Sequence, residues 1–163
     1  LPRLTQAGCN AGKCHGGATG QGGFKLSLLG DDSTADHSAI TREDSARRID
    51  LTKPERSLIL RKPARELDHE GGQKLRANSQ AWNTVRDWIA AGTPLGDRGL
   101  HVSEIQVMPA EVLLSGAGKS AQLRITARFS DGRQRDVTAM AVFTSRNDSV
   151  VTVNNTTDTF HIR

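Results

Sequence analysis

Residues 9–15 read CNAGKCH, and this stretch decides how the first part of the chain is interpreted. Cys9 and Cys14 are the only cysteines among the 163 residues, and His15 follows the second one directly. In a Cys-x-x-Cys-His motif, each thiol bonds to one vinyl group at the edge of a porphyrin, and the histidine ligates the iron. Here four residues separate the thiols, and Gly12 gives the longer loop the freedom to bulge. The stretch predicts one covalent haem c, attached through Cys9 and Cys14, with His15 as the proximal iron ligand.

Three other kinds of site use the same residues and stay open at this point. Cys9 and Cys14 are close enough in sequence to form a disulfide bond. With a further histidine, they and His15 could bind zinc, although adjacent Cys and His residues are awkward ligands for one tetrahedral ion. A redox-active thiol pair usually has two residues between its cysteines and lies between a strand and a helix, and this stretch has neither feature.

The composition excludes several classes of protein. The 22 Lys and Arg residues exceed the 18 Asp and Glu residues by four, and the charges are interleaved, so no nucleic-acid partner is predicted. Hydrophobic residues make up 36% of the chain, which is enough for a packed core. No run approaches the roughly 18 apolar residues of a transmembrane helix, so no membrane span is predicted in this chain. Membrane-spanning, fibrous and disulfide-dense classes are therefore excluded.

The chain changes character near residue 100. Before it lie short helical segments and loops, including the glycine-rich stretch 16–23. The strongest helix prediction is Gln80–Ala91, because Trp82, Val85, Trp88 and Ile89 form one apolar stripe, and Gly92 and Pro94 end it. After residue 100, polar and apolar residues alternate. The strictest alternation runs from Ala121 to Phe129, and Ser130-Asp131-Gly132 after it predicts a hairpin turn. Six candidate strands, which include 111–114 and 141–143, favour an antiparallel sandwich.

Two stretches of the chain resemble known families. Residues 5–94 resemble the haem-binding module of the planctomycete cytochrome c family. TQAGCNAGKCHGGATGQGGFKLSLLGDD, PERSLILRKPARELDHEGGQKL and WNTVRDWIAAGTP carry this resemblance. Modules of that family are small c-type cytochrome domains at the front of large exported proteins, and one branch has the wider Cys spacing. Residues 102–153 resemble the bacterial group 2 immunoglobulin-like domain, above all in SDGRQRDVT. NNTTDTFHIR stands where that family has a Gly-rich final hairpin.

The expected fold therefore has two domains. Residues 1–97 are predicted to form a small, mainly α c-type cytochrome domain with a Gly-rich loop. Residues 102–163 are predicted to form an all-β immunoglobulin-like sandwich that is truncated before its last hairpin.

The second axial ligand of the iron is predicted to be His69. It lies in ELDHEGG, a loop with paired glycines directly before the segment that leads to the Trp-containing helix. In the cytochromes that the module resembles, the loop before the last helix supplies this ligand, and the wider-spaced branch has a His-Gly-Gly element there. This chain is one residue longer at that point. The alternatives are a purely structural loop histidine at position 69 and other ligands, namely His37, His101, His161, Met108 and Met140.

Apolar residues of the first domain are predicted to line the haem pocket, chiefly Phe24, Leu26, Trp82 and Trp88. Several basic side chains could pair with haem propionates, although a solvated surface position is the simpler expectation for each of them: Arg42, Arg47, Arg48, Arg61 and Lys62. No Ser–His–Asp, HExxH or paired-carboxylate arrangement stands out, so no catalytic residue is predicted.

The expected function is electron transfer by a monohaem c-type module, with a redox protein as its partner and no enzymatic activity of its own. The start at Leu1-Pro2 suggests a piece of a larger parent chain. Thioether attachment requires reduced thiols and haem delivered outside the cytoplasm, so an exported, periplasmic or cell-envelope protein is expected. Two alternatives stay open. One is a five-coordinate haem that binds a small gas or peroxide, and the other is an adhesion or scaffold fragment with a Cys9–Cys14 disulfide.

Overall fold

The computed structural model describes residues 2–97, 99–155 and 159–162, and it separates the chain into two units, Leu1–Gly96 and Asp97–Arg163. Within the described residues, every α-helix belongs to the first unit and every strand of a sheet to the second. No helix in these ranges has the length and apolar character needed to cross a membrane. That residues 1–97 and 102–163 fold as independent domains remains a prediction.

Among the described residues, four short helices hold the first unit together. Their bounds are α1 Pro2–Gln6, α2 Ser33–Thr41, α3 Leu58–Arg61 and α4 Gln80–Ala90. Helix α4 confirms the predicted helix to within one residue, and the Ser79 hydroxyl caps it by accepting a hydrogen bond from the Trp82 amide. The carboxylate of Asp32 caps α2 in the same way, through the amides of Thr34 and Ala35.

The core of the first unit forms where α4 packs against the other elements. Trp82, Val85 and Ile89 are its buried face, as the apolar stripe predicted. The remaining buried apolar residues are contributed by all parts of the unit, namely Leu4, Leu26, Ala39, Ile40, Ile59, Leu60, Ala64 and Leu75. Cys9 and Phe24 pack against this core from its edge. Cys9 and Phe24 therefore lie beside the packed core of the first unit.

The expectation of a mainly α domain is wrong. Long loops connect the four helices, and turn hydrogen bonds rather than helical ones hold much of the backbone. Glycine makes this close folding possible at two positions. A Cβ atom at Gly16 would lie 2.0 Å from the Asn10 carbonyl oxygen, and one at Gly20 would lie 2.2 Å from that of Phe24. Loops that touch their own backbone in this way cannot continue as helices.

In the part of the chain that the structure describes, the second unit contains two three-stranded antiparallel sheets. Its strands are β1 Val102–Met108, β2 Ser120–Gln122, β3 Arg124–Phe129, β4 Gln134–Asp136, β5 Val151–Asn154 and β6 Thr159–Ile162. One sheet has the order β1–β3–β4 and the other β2–β6–β5. The hairpin between β3 and β4 confirms the turn predicted at Ser130–Gly132, and Gly132 takes a positive φ of 82° there.

The predicted immunoglobulin-like sandwich is also wrong. A sandwich requires two sheets whose inner faces bury alternate residues against each other. Strand β3 buries Ile125 and Ala127, whereas every residue of β1 is exposed. The predicted strands at 111–114 and 141–143 are irregular, and Leu113 is 97% exposed. The alternation correctly identified which residues of β3 share a face. The described residues, however, bury too few apolar side chains to form the second inner face that a sandwich requires.

Candidate functional site

His15 and His69 lie close together at one cavity of the first unit. Their ring centroids are 6.4 Å apart and their ring planes differ by 20°. The cavity has a volume of about 650 Å³, within the range of about 300–1,000 Å³ typical of ligand and cofactor pockets. Its wall contains both cysteines, both histidines and the predicted pocket residues Phe24 and Leu26. Leu4, Leu58, Ile59 and Pro63 add to its apolar lining.

A tight loop after α1 brings the two cysteines and His15 to this cavity. The Cys9 amide donates to the Leu4 carbonyl at 2.9 Å, which continues the chain directly from the helix. The Cys14 amide donates to Ala11, and the His15 amide donates to the carbonyl of Cys9 itself, at 2.9 Å each. The loop therefore folds back on its first cysteine. Neither thiol forms a disulfide.

Burial determines the state of the Cys9 thiol. Loss of solvent, and after it the nearby Cys14, raises its pKa to about 11, and the charge of Lys74 opposes part of the rise. Cys9 is therefore a neutral thiol at physiological pH. It projects from the edge of the core into the cavity.

A backbone carbonyl orients the imidazole of His15. Its Nδ1 lies 2.9 Å from the Phe24 carbonyl oxygen, and because a carbonyl only accepts, Nδ1 carries the proton and donates it. The lone pair is then on Nε2, which is the arrangement of a metal-ligating histidine. Phe24 also packs its ring on the imidazole, with centroids 4.6 Å apart. Burial lowers the pKa of His15, so the neutral form that a metal requires is favoured.

His69 is held in the same way from another loop. Its Nδ1 donates to the Gly72 carbonyl oxygen at 2.7 Å, and the Gly72 amide donates back to the His69 carbonyl at 3.0 Å. This small ring of contacts leaves the Nε2 lone pair of His69 available as well. Gly71 makes room for the imidazole, since a Cβ there would lie 3.0 Å from Cε1 and 3.4 Å from Nε2.

Two of the four predicted pocket residues are placed elsewhere. The structure does not include Trp82 or Trp88 in the cavity lining. Trp82, on the buried face of α4, lies in the core of the first unit. Trp88 donates from Nε1 to the Pro94 carbonyl at 2.9 Å and meets the His37 ring edge-on. Trp82 and Trp88 belong to the same apolar stripe of α4 but pack on different neighbours. A place in this stripe therefore did not predict which residues reach the cavity.

The other candidate ligands are not among the described residues that line this cavity. The His37 Nε2 is hydrogen-bonded to the Thr93 carbonyl at 2.7 Å. His101, Met108 and Met140 belong to the second unit. His161 lies in β6, and its side chain is outside the described residues. Of the histidines placed in the first unit, only His69 accompanies His15.

Arg48 is the functional candidate that sequence analysis missed. It was expected at a solvated surface, yet it is buried and lines the cavity, whereas Arg47 and Lys62 line it from exposed positions. Its guanidinium lies over the Phe24 ring, 4.5 Å from the centroid. The tandem Arg47-Arg48 has no apolar periodicity around it, so no pattern in the sequence distinguished the buried arginine from its exposed neighbour.

The residues at the cavity fit a haem better than a bare metal ion. Two imidazoles on opposite sides of one metal have centroids about 6 Å apart when each metal–nitrogen bond is about 2 Å. The observed 6.4 Å agrees with this spacing. Across the described residues, no three His, Cys, Asp or Glu side chains are gathered closely enough to hold a metal ion by themselves. The apolar wall and the two thiols suit a flat porphyrin between the histidines.

Comparison of the chain with protein-family models, with curated proteins and with solved structures gave no match.

Proposed function

We propose that the first unit is a monohaem c-type electron-transfer module. Cys9 and Cys14 would attach the haem, and His15 and His69 would ligate its iron. The observation that carries this proposal is the pair of nearly parallel imidazoles, 6.4 Å apart, each with Nδ1 bound to a backbone carbonyl. The resemblance of residues 5–94 to planctomycete cytochrome c modules supports the same assignment.

The two histidines determine what the site can do. When bound, the haem iron supplies one-electron chemistry by alternating between the ferric and ferrous states. Carbonyl acceptors fix both imidazole planes and increase the basicity of each Nε2. With both histidines as ligands, exogenous molecules would be kept from the iron, which would favour electron transfer over catalysis or gas binding. A second histidine in place of methionine favours a low reduction potential.

The two cysteines keep the cofactor in the site. Each thiol would add across a vinyl double bond, which would form a carbon–sulfur bond and leave the thiol hydrogen on the neighbouring vinyl carbon. The hydrogen bond from the His15 amide to the Cys9 carbonyl links the attachment points to the proximal ligand. Attachment at Cys9 and Cys14 therefore also places the ring next to His15.

This assignment implies a place and a partner. Covalent attachment requires export, so we propose a periplasmic or cell-envelope location. The partner is a redox protein that exchanges one electron at a time with the module. Neither nucleic acid nor a catalytic reaction is part of this proposal.

One experiment tests the assignment directly. The chain is produced in the periplasm of a bacterium with haem-attachment machinery, and the purified protein is analysed by a visible spectrum and a pyridine haemochrome assay. We expect one covalent, low-spin haem per chain. The Cys9→Ala/Cys14→Ala double variant is the matched control, and it should lose the covalent haem. A colourless wild-type protein would contradict the proposal and favour a non-haem fragment.

A further inference from the structure

A buried arginine is linked to the proximal histidine through one aromatic ring. Arg48 is only 6% exposed, and its guanidinium carbon lies 4.5 Å from the centroid of Phe24. The Phe24 ring in turn lies 4.6 Å from the His15 ring. All three side chains line the cavity. A fixed positive charge is therefore held close to the proposed iron site.

Neutral groups hold this charge in place. The Arg48 Nη1 donates to the carbonyls of Ala39 at 3.0 Å and Glu43 at 3.1 Å, and Nη2 donates to Gly23 at 3.4 Å. Carbonyl dipoles satisfy the donors without cancelling the charge. The acidic partner is Asp44, 3.4 Å from Nη2, but that carboxylate is half exposed and also pairs with Arg47. Because this carboxylate is solvated and shared with Arg47, it offsets the charge of Arg48 only in part.

The segment before Arg48 is folded in an unusual way. Asp44, Ser45 and Ala46 all take positive φ angles, of 58°, 57° and 56°. Side chains other than glycine disfavour this left-handed region, and a run of three is maintained only where surrounding contacts require it. Here the run lies between the Glu43 carbonyl and Arg48, which are joined by a hydrogen bond. The strained turn is part of the frame that holds the guanidinium.

We infer that Arg48 sets the reduction potential of the iron between His15 and His69, raising it by opposing the additional positive charge of the ferric state. The inference rests on the proposed function. It concerns the electrostatics of the site rather than the identity of the ligands. Coulomb attraction and repulsion are strong in a partly buried site because water screens them poorly there.

The test is a spectroelectrochemical titration of the haem-loaded full chain. We expect Arg48→Gln to lower the midpoint potential. At a fixed electrode potential the ratio of ferrous to ferric protein should fall by about tenfold to twentyfold, as for one charge acting over roughly 10 Å at an effective dielectric constant of about 20. Arg48→Lys keeps the charge and should retain most of the wild-type potential.

Two further variants separate charge from packing. Asp44→Asn removes the carboxylate beside Arg48 and should shift the potential in the opposite direction, upward. Arg86→Gln is the matched control, because Arg86 also lies over an aromatic ring, 5.6 Å from the centroid of Trp82, but neither residue lines the cavity. It changes the net charge by the same amount as Arg48→Gln and should leave the potential unchanged.

Each outcome decides between the proposals. A haem-containing, low-spin protein whose potential is the same in wild type and Arg48→Gln overturns this inference and leaves the proposed function intact. Equal losses in Arg48→Gln and Arg48→Lys show that packing, not charge, is responsible, and also overturn it. If Arg48→Gln does not fold, Asp44→Asn decides, and an unchanged or lowered potential overturns the inference. A wild-type protein without haem overturns both proposals.

Discussion

His69 and Gly71 share one small space. A methyl group on Gly71 would lie 3.0 Å from Cε1 of the His69 imidazole, closer than real Cβ contacts normally come. The backbone of Gly71 is not in the left-handed region, so its lack of a side chain serves the histidine rather than the turn.

Gly71→Ala should therefore move His69 without unfolding the loop. In the haem-loaded protein we expect a mixture of low-spin and high-spin iron in the visible spectrum, because the imidazole is pushed from its position. Gly92→Ala is the control. That glycine has a φ of 82° and no atom within 4 Å of the place an added methyl group would take, so the variant should lose about 1 kcal/mol of stability and keep the low-spin spectrum. A fully low-spin Gly71→Ala protein would contradict this prediction.

His69→Ala should convert the haem from low-spin to high-spin or water-ligated. Removing this side chain opens one side of the iron, so carbon monoxide should bind the ferrous form readily. The haem should remain covalently attached, because Cys9 and Cys14 are untouched. His37→Ala is the control. The His37 side chain is hydrogen-bonded to the Thr93 carbonyl, so its loss should leave the spectrum unchanged. An unaltered spectrum in His69→Ala would mean that another residue is the sixth ligand.

Cys9 should react slowly in the folded, haem-free chain. A rise of its pKa from 9.0 to about 11 lowers the thiolate fraction at neutral pH about a hundredfold. The more basic thiolate is a better nucleophile, which recovers part of the loss, so the net effect is about tenfold slower alkylation by iodoacetamide than in urea. Peptide mass spectrometry measures the rate at Cys9 alone, and the rate should still be rising with pH above 9. Equal rates in the folded and unfolded chains would rule out this burial effect.

The haem site should survive removal of the second unit. The residues that line the cavity all lie before Gly96. A chain that ends at Gly96 should therefore keep the low-spin spectrum and the midpoint potential of the full chain. Loss of the low-spin bands on truncation would show that a residue of the second unit, such as Met108 or His101, ligates the iron.

Production in a cytoplasm without haem-attachment machinery should yield colourless protein with two free thiols. Thioether formation depends on haem and reduced cysteines being brought together in the compartment where the machinery works. Mass spectrometry of the intact chain distinguishes the bare polypeptide from the haem adduct. Red protein with covalent haem from such cells would contradict the proposed need for export.

Helix α4 and the β3–β4 hairpin were predictable because each depends on a local pattern. The apolar stripe of Trp82, Val85 and Ile89 specifies one helix face, and Ser130–Gly132 specifies one turn. The sandwich prediction was wrong because it required more than a local pattern. Alternation in β3 shows that Ile125 and Ala127 share a face, but what covers that face depends on strands far away in sequence.

The candidate site was partly predictable for a related reason. Cys9, Cys14 and His15 are recognisable by their spacing, and His69 by its glycine-flanked loop. The groups that orient the histidines are main-chain carbonyls, which every residue type possesses, so no sequence pattern marks them. The buried position of Arg48 depends on three consecutive left-handed residues, none of which is glycine, and backbone propensity predicts the opposite there.

The use of main-chain acceptors for both imidazoles has a consequence for how the site tolerates mutation. A carbonyl at position 24 or 72 persists whichever side chain is attached, so substitution cannot delete the acceptor as it could an Asp or Asn partner. Substitution at position 24 therefore removes the ring that packs on His15 but keeps the carbonyl that accepts its hydrogen bond. Position 72 is more constrained, because its φ of 72° favours glycine. The two axial ligands of one iron would thus differ in genetic robustness, with the His69 side the more fragile under random substitution.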